Sequence, residues 1–129
     1  MRRLRPIHLE ALAQLVRASV LFRMTDPAHA TRLLHSDVAG TVSAKDVERA
    51  RQAGRAVASV SGRLPWHPTC LRQAVAVRAM LRRRGIASEL TIGVTSPREE
   101  RPAHAWVRVG ERVIVGGAGH EQYTPIARF

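Results

Sequence analysis

The chain has one cysteine, one lysine and five aromatic residues among 129, and no apolar run long enough to cross a bilayer. Each shortage excludes something. A lone thiol, Cys70, cannot close an intrachain disulfide or build a thiolate metal cage. The lack of cysteine pairs fits a reducing cytosol, so a cytoplasmic location is expected. Five aromatics are too few to interleave with the basic residues as stacking platforms, which counts against single-stranded nucleic acid as the ligand. The most apolar stretch, from Ala11 to Phe22, is broken by Gln14, Arg17 and Ser19. It is too short and too charged for a membrane span, and no small-residue cleavage site follows it as a secretory leader requires. The six histidines are scattered without zinc-type spacing, and His67 so close to Cys70 is better explained by a helix start than by a metal site.

Arginine is what the chain has in excess: twenty, for a net charge of +11 and a pI near 11.7. A field of that sign favours acidic partners. The run Arg2-Arg3 is expected to be a solvated terminus, whereas Arg82-Arg83-Arg84 closes a helix, where cations complement the negative end of the dipole. At 129 residues and 14.2 kDa the chain suits one domain with a single core.

Helices come first and strands last. Pro6 opens a predicted helix from Ile7 to about Met24, with Ile7, Ala11, Leu15, Ala18 and Phe22 on one stripe. Asp26-Pro27 predicts a short helix through Leu33 and Leu34. Ser43 with Asp46 three residues on is a capping box for a helix carrying Val47, Ala50, Gly54 and Val57, ended by Gly62 and Pro65. Thr69 caps a fourth, Cys70 to Arg84, which Gly85 stops. Beyond it the period changes to two: Leu90, Ile92 and Val94 alternate with polar or small residues, and 96–102 is a polar loop. The run 103–109 is a second strand, with His104, Trp106 and Arg108 on one face and Ala103, Ala105, Val107 and Val109 on the other. Gly110-Glu111 turns it back into 112–116, which sets His104 near Gly117 across the hairpin. The expected fold class is α+β.

Position gives Cys70 its interest. A helix's first turn leaves N–H groups unpaired at the positive end of the dipole, which favours a thiolate and offers donors to an oxyanion. Cys70, Ala74, Val77 and Leu81 share an apolar stripe, so the thiol lies at the end of the buried face. Most lone cysteines are inert buried hydrophobes. What would distinguish this one is a histidine on the neighbouring element, and a helix packed on the His104 face of the second strand would bring thiol and imidazole together.

The run CLRQAVAVRAMLRRRGIASELTIGV, then AHAWVRVGERVIVGG, then YTPI, resembles the stand-alone leader peptidase of lasso-peptide biosynthesis, a transglutaminase-like cysteine protease family. The resemblance covers residues 64–129; residues 1–63 form a helical region like the variable N-terminal part of such proteins. It implies a reduced papain/transglutaminase-like core: N-terminal helices, a Cys-bearing helix and a small antiparallel sheet. The family's nucleophile and base fall on Cys70 and His104. Its aspartate has no counterpart, because Asp26, Asp37 and Asp46 all precede Cys70 and the expected stretch is Val115-Gly116-Gly117-Ala118-Gly119. Glu121 is a nearby candidate, Glu111 belongs at the hairpin tip, and a backbone carbonyl or side-chain amide can also orient a histidine.

The resemblance implies removal of a leader from a ribosomally made precursor peptide, with no cofactor, helped by a separate leader-recognition protein and followed by a lasso cyclase. His104 takes the thiol proton, Cys70 attacks a peptide carbonyl, and the resulting thioester is hydrolysed. The Cys70 N–H is the first oxyanion donor. Trp66 or His67 supplies a second or lines the cleft, with core packing the simpler role for Trp66. Trp106 shields the imidazole, and His120 faces solvent or touches substrate. Two other functions compete: an acyltransferase using the same Cys/His pair, and a basic nucleic-acid-binding domain.

Overall fold

The computed structural model describes residues 5–24, 40–95, 103–117 and 120–129. Among the described residues, three α-helices and four strands make an α+β fold: α1 (Pro6–Met24), α2 (Ala44–Ser61), α3 (Cys70–Arg83), β1 (Glu89–Val94), β2 (Ala103–Val109), β3 (Arg112–Val115) and β4 (Thr124–Arg128). The sheet is antiparallel, in the order β3-β2-β1-β4. The short helix expected after Asp26 and the loop 96–102 lie outside the described residues.

Local chemistry starts and stops these helices where the sequence places the signals. Ser43 Oγ accepts from the Asp46 N–H at 3.1 Å while the Asp46 carboxylate accepts from the Ser43 N–H at 3.2 Å, a complete capping box on α2. Thr69 Oγ1 accepts from the Arg72 N–H at 3.3 Å and caps α3. Gly85, at φ +68°, ends it in the left-handed region where a side chain is strained. Ala11, Leu15 and Ala18 bury one side of α1. They join Ala53, Val57 and Val60 of α2 and Ala74, Val77, Met80 and Leu81 of α3 in one core with the sheet. Residues such as Leu15, Met80 and Leu81, fully enclosed, contribute roughly 1.5–3 kcal/mol each by leaving water.

Three tertiary features depart from the sequence-based expectations. First, α3 does not pack on the His104 face. Ala105, Val107 and Val109 enter the shared core, Arg108 is exposed, and Trp106 is buried outside that core. The alternation along β2 is as expected, but the wholly Ala/Val side turns inward because it carries no polar atom to desolvate. Trp106 is instead enclosed from the other side by the segment before β4. Its ring lies 5.5 Å from that of His120, and a Cβ at Gly93 would come within 2.8 Å of the indole and 2.9 Å of Tyr123.

Second, the β2–β3 hairpin carries a bulge. Val109 pairs with Arg112 and Arg108 with Val113, but Val107 pairs with Val115, leaving Ile114 as the extra residue. Pairing stops at Val115. Third, 124–128 is an edge strand, antiparallel to β1, that periodicity does not predict. Pro125 lacks a donor and is tolerated at an edge. Trp66 is also not a core residue: its side chain is 46 % exposed.

Candidate active site

One cleft, of about 650 Å³, opens where the end of α2, the start of α3 and the end of the β2–β3 hairpin meet. Ala58, Ser61 and Gly62 form its α2 wall, and His67 to Cys70 with Gln73 form the α3 wall. His104, Val115 and Gly116 close the third side. Cys70 and His104 therefore face a common space. His104 reaches it although its strand turns the opposite face to the helices, because it stands one residue into β2, at the sheet end beside the start of α3. Among the described residues no carboxylate lines the cleft.

Each wall is held by identifiable bonds. The chain enters α3 through His67, whose φ of +42° is left-handed and whose N–H donates to the Leu64 carbonyl at 3.2 Å. The Gln73 side-chain amide donates to the Pro68 carbonyl at 3.0 Å, tying the first turn of α3 to the segment before it. The thiol is half-buried, at the first residue of the helix. Main-chain bonding begins with the Gln73 N–H on the Thr69 carbonyl at 3.0 Å, and no described group accepts from the Cys70 N–H. That N–H and the positive helix end are both available beside the sulfur.

The imidazole of His104 is anchored independently. Its Nε2 lies 2.7 Å from the carbonyl oxygen of Gly116. A carbonyl only accepts, so Nε2 is the donor, and in the neutral ring the lone pair falls on Nδ1. Trp106 and Tyr123 flank the ring, with centroids at 6.0 and 5.1 Å. Among the described residues the thiol and the imidazole share no hydrogen bond; they are two groups on facing walls of one open cleft.

The other expected participants fall elsewhere. Glu121 is 76 % exposed and points to His120 Nδ1 at 3.6 Å, so it does not orient His104. Glu111 is exposed at the hairpin tip, as expected. His120 is not solvent-facing: half-buried, it donates from Nδ1 to the Gly117 carbonyl at 2.8 Å and packs on Trp106. His67 lines the cleft, whereas Trp66 does not. Sequence reasoning missed Gln73, Ser61 and Gly116. The Gln73 amide sits one turn after Cys70 on the same helix, a spacing visible in the sequence; Ser61 and Gly116 carry no local signal, since folding alone brings them to the cysteine.

No curated protein and no solved structure matches the chain. A family model does, that of the transglutaminase-like superfamily, over residues 12–128. The match takes in most of the helical region as well as the Cys/His half, in keeping with a cleft one of whose walls is α2. Members of that superfamily are typically cysteine proteases or acyltransferases. A cysteine at a helix start, a histidine on an antiparallel strand, a shared cleft and a family match over nearly the whole chain identify this protein as a member of the transglutaminase-like superfamily.

Proposed function

We propose that the chain is a cysteine peptidase that removes the leader from a ribosomally made lasso-peptide precursor. The observation that carries this reading is the common cleft of Cys70 and His104, with the sulfur at the positive end of α3. His104 Nδ1, the nitrogen left unprotonated by the Gly116 contact, accepts the thiol proton, and Cys70 attacks the scissile carbonyl. The negative oxygen of the tetrahedral intermediate takes the Cys70 N–H. The second N–H of the Gln73 amide, whose first is held by Pro68, is available on the same wall. His104 then protonates the departing amine, and water attacks the thioester.

The substrate class follows the motifs around Cys70 and His104 and the charge of the chain. A cleft with no carboxylate among its described lining residues, on a protein of net charge +11, suits an acidic leader, or an acidic partner that delivers one. A separate leader-recognition protein and a downstream lasso cyclase complete the pathway in this reading. Affinity for the precursor or its carrier that is indifferent to salt would count against the electrostatic part.

The test is to incubate the protein with the precursor and recognition protein encoded beside it, as wild type, Cys70→Ala and His104→Ala. Loss of cleavage in both variants with folding retained is the expected result. Unchanged processing in either removes that residue from the mechanism. Transfer of the acyl group to an added amine in preference to water, with no leader released, would favour an acyltransferase.

A further inference from the structure

The Cys/His reading leaves one role without a side chain: among the described residues nothing acidic holds the imidazole. We propose that the backbone carbonyl of Gly116 performs that task, and that the β3 bulge, clamped by α2, exists in this chain to aim it. The proposal rests on the reading of Cys70 and His104 as a reacting pair.

Three observations converge. The carbonyl lies 2.7 Å from His104 Nε2, a short hydrogen bond that selects a single tautomer and presents Nδ1 as the base. The conformation that aims it is one only glycine takes comfortably. Gly116 has φ +77°, and a Cβ there would come within 2.5 Å of the Ala105 carbonyl oxygen and 3.1 Å of Trp106 Cα. The main chain at Gly116 thus leaves no room for a side chain of its own.

The third observation explains what keeps it there. Ile114, the unpaired residue of the bulge, is pressed on α2 so closely that a Cβ at Gly54 would overlap the Ile114 carbonyl oxygen and Cγ2. Removing that contact would let β3 run on in regular register, which would rotate the following carbonyl away from His104. Gly54 and Ile114 are therefore positioning residues: they act on the base through Gly116. A neutral carbonyl also differs from a carboxylate in one consequence. It fixes the tautomer but adds no full negative charge to stabilise the imidazolium.

The test needs both a spectroscopic and a chemical readout. In protein labelled with ¹⁵N-histidine, the neutral form of the His104 ring should carry its proton on Nε2 and leave Nδ1 unprotonated. A neutral ring protonated on Nδ1, or an even mixture of tautomers, would overturn the proposal without any variant having to fold. For the chemical readout, alkylation of Cys70 by iodoacetamide is timed at pH 7 in wild type, Gly116→Ala, Gly54→Ala and His104→Ala. Gly116→Ala should slow alkylation about 10- to 100-fold, the size of losing a hydrogen bond to a group that becomes charged. Gly54→Ala should slow it by less and broaden the His104 tautomer population. If His104→Ala slows alkylation while Gly116→Ala leaves rate and tautomer unchanged, the carbonyl has no such role. If His104→Ala itself leaves the rate unchanged, it is the Cys/His pairing that fails.

Discussion

Glu10 on α1 and Arg84 at the end of α3 form a two-pronged pair: Oε1 accepts from Arg84 at 2.7 Å and Oε2 at 2.9 Å, with Arg83 adding a third bond at 3.1 Å. The basic run that closes α3 thus does more than complement a helix dipole. It fastens the first helix of the chain to the end of the helix that begins at Cys70. The Arg84 bond holds the Glu10 carboxyl below its usual 4.5, against the opposing effect of partial burial.

Because the folded-state value of Glu10 is depressed, its contribution is complete above the unfolded value and is lost as pH falls through the folded one. Glu10→Gln should lower unfolding free energy by about 1–3 kcal/mol at pH 7. The gap between variant and wild type should close as the pH is taken below 4.5. Guanidinium titrations at a series of pH values measure this. An equal gap at pH 7 and pH 2.5 would show that the charge on Glu10 is not the source of the stability.

Gly54→Ala places a methyl on the main chain of Ile114, and the overlap should cost about 1–3 kcal/mol. Gly62→Ala is its control. A Cβ there meets only the Ala58 carbonyl oxygen at 3.6 Å and the Ser59 carbonyl oxygen at 3.7 Å, and Gly62 is right-handed at φ −66°. That variant should be neutral or gain about 0.4–1 kcal/mol by restricting the unfolded chain. Thermal melts of the two, side by side, test whether the α2–β3 contact is as tight as the backbone places it.

Thr69→Ala should cost about 1 kcal/mol through loss of the α3 cap, and Thr69→Ser should recover most of it. Amide exchange gives the sharper measurement. The Arg72 N–H loses its acceptor in the alanine variant, so its protection should fall while that of Met80, deep in the same helix, changes only by the global amount.

Ser61 is 5 % exposed, lines the cleft, and its hydroxyl has no hydrogen-bond partner among the described residues. Ser61→Ala removes a buried polar group that gains nothing in the folded protein. It should therefore stabilise the protein by about 1 kcal/mol, as chemical unfolding would show. A loss of similar size would mean that the hydroxyl is bonded in solution.

Local elements were legible in the residues because their causes are local. The Ser43/Asp46 capping box, the Thr69 cap and the Gly85 stop act within a few positions of themselves, and all three stand where the sequence signals them. The stripe of Ala11, Leu15 and Ala18 is buried for the same reason. β4 was not legible, since Thr124-Pro125-Ile126 lacks alternation and its pairing is supplied by β1. The solvated setting of Trp66 and the half-buried one of His120 were equally hidden, each depending on which distant segment covers the ring.

By itself the sequence determined that a thiol would begin a capped helix and that an imidazole would ride on a later strand, because capping and period-two alternation are energies spent within a short window of chain. Only the tertiary structure decided which side of β2 meets the helices, where the hairpin bulges, and that Gly116 rather than Glu121 lies against His104. Those outcomes are contacts between segments far apart in the chain, Gly54 on Ile114 above all, and packing at that range leaves no periodic mark on the residues that make it.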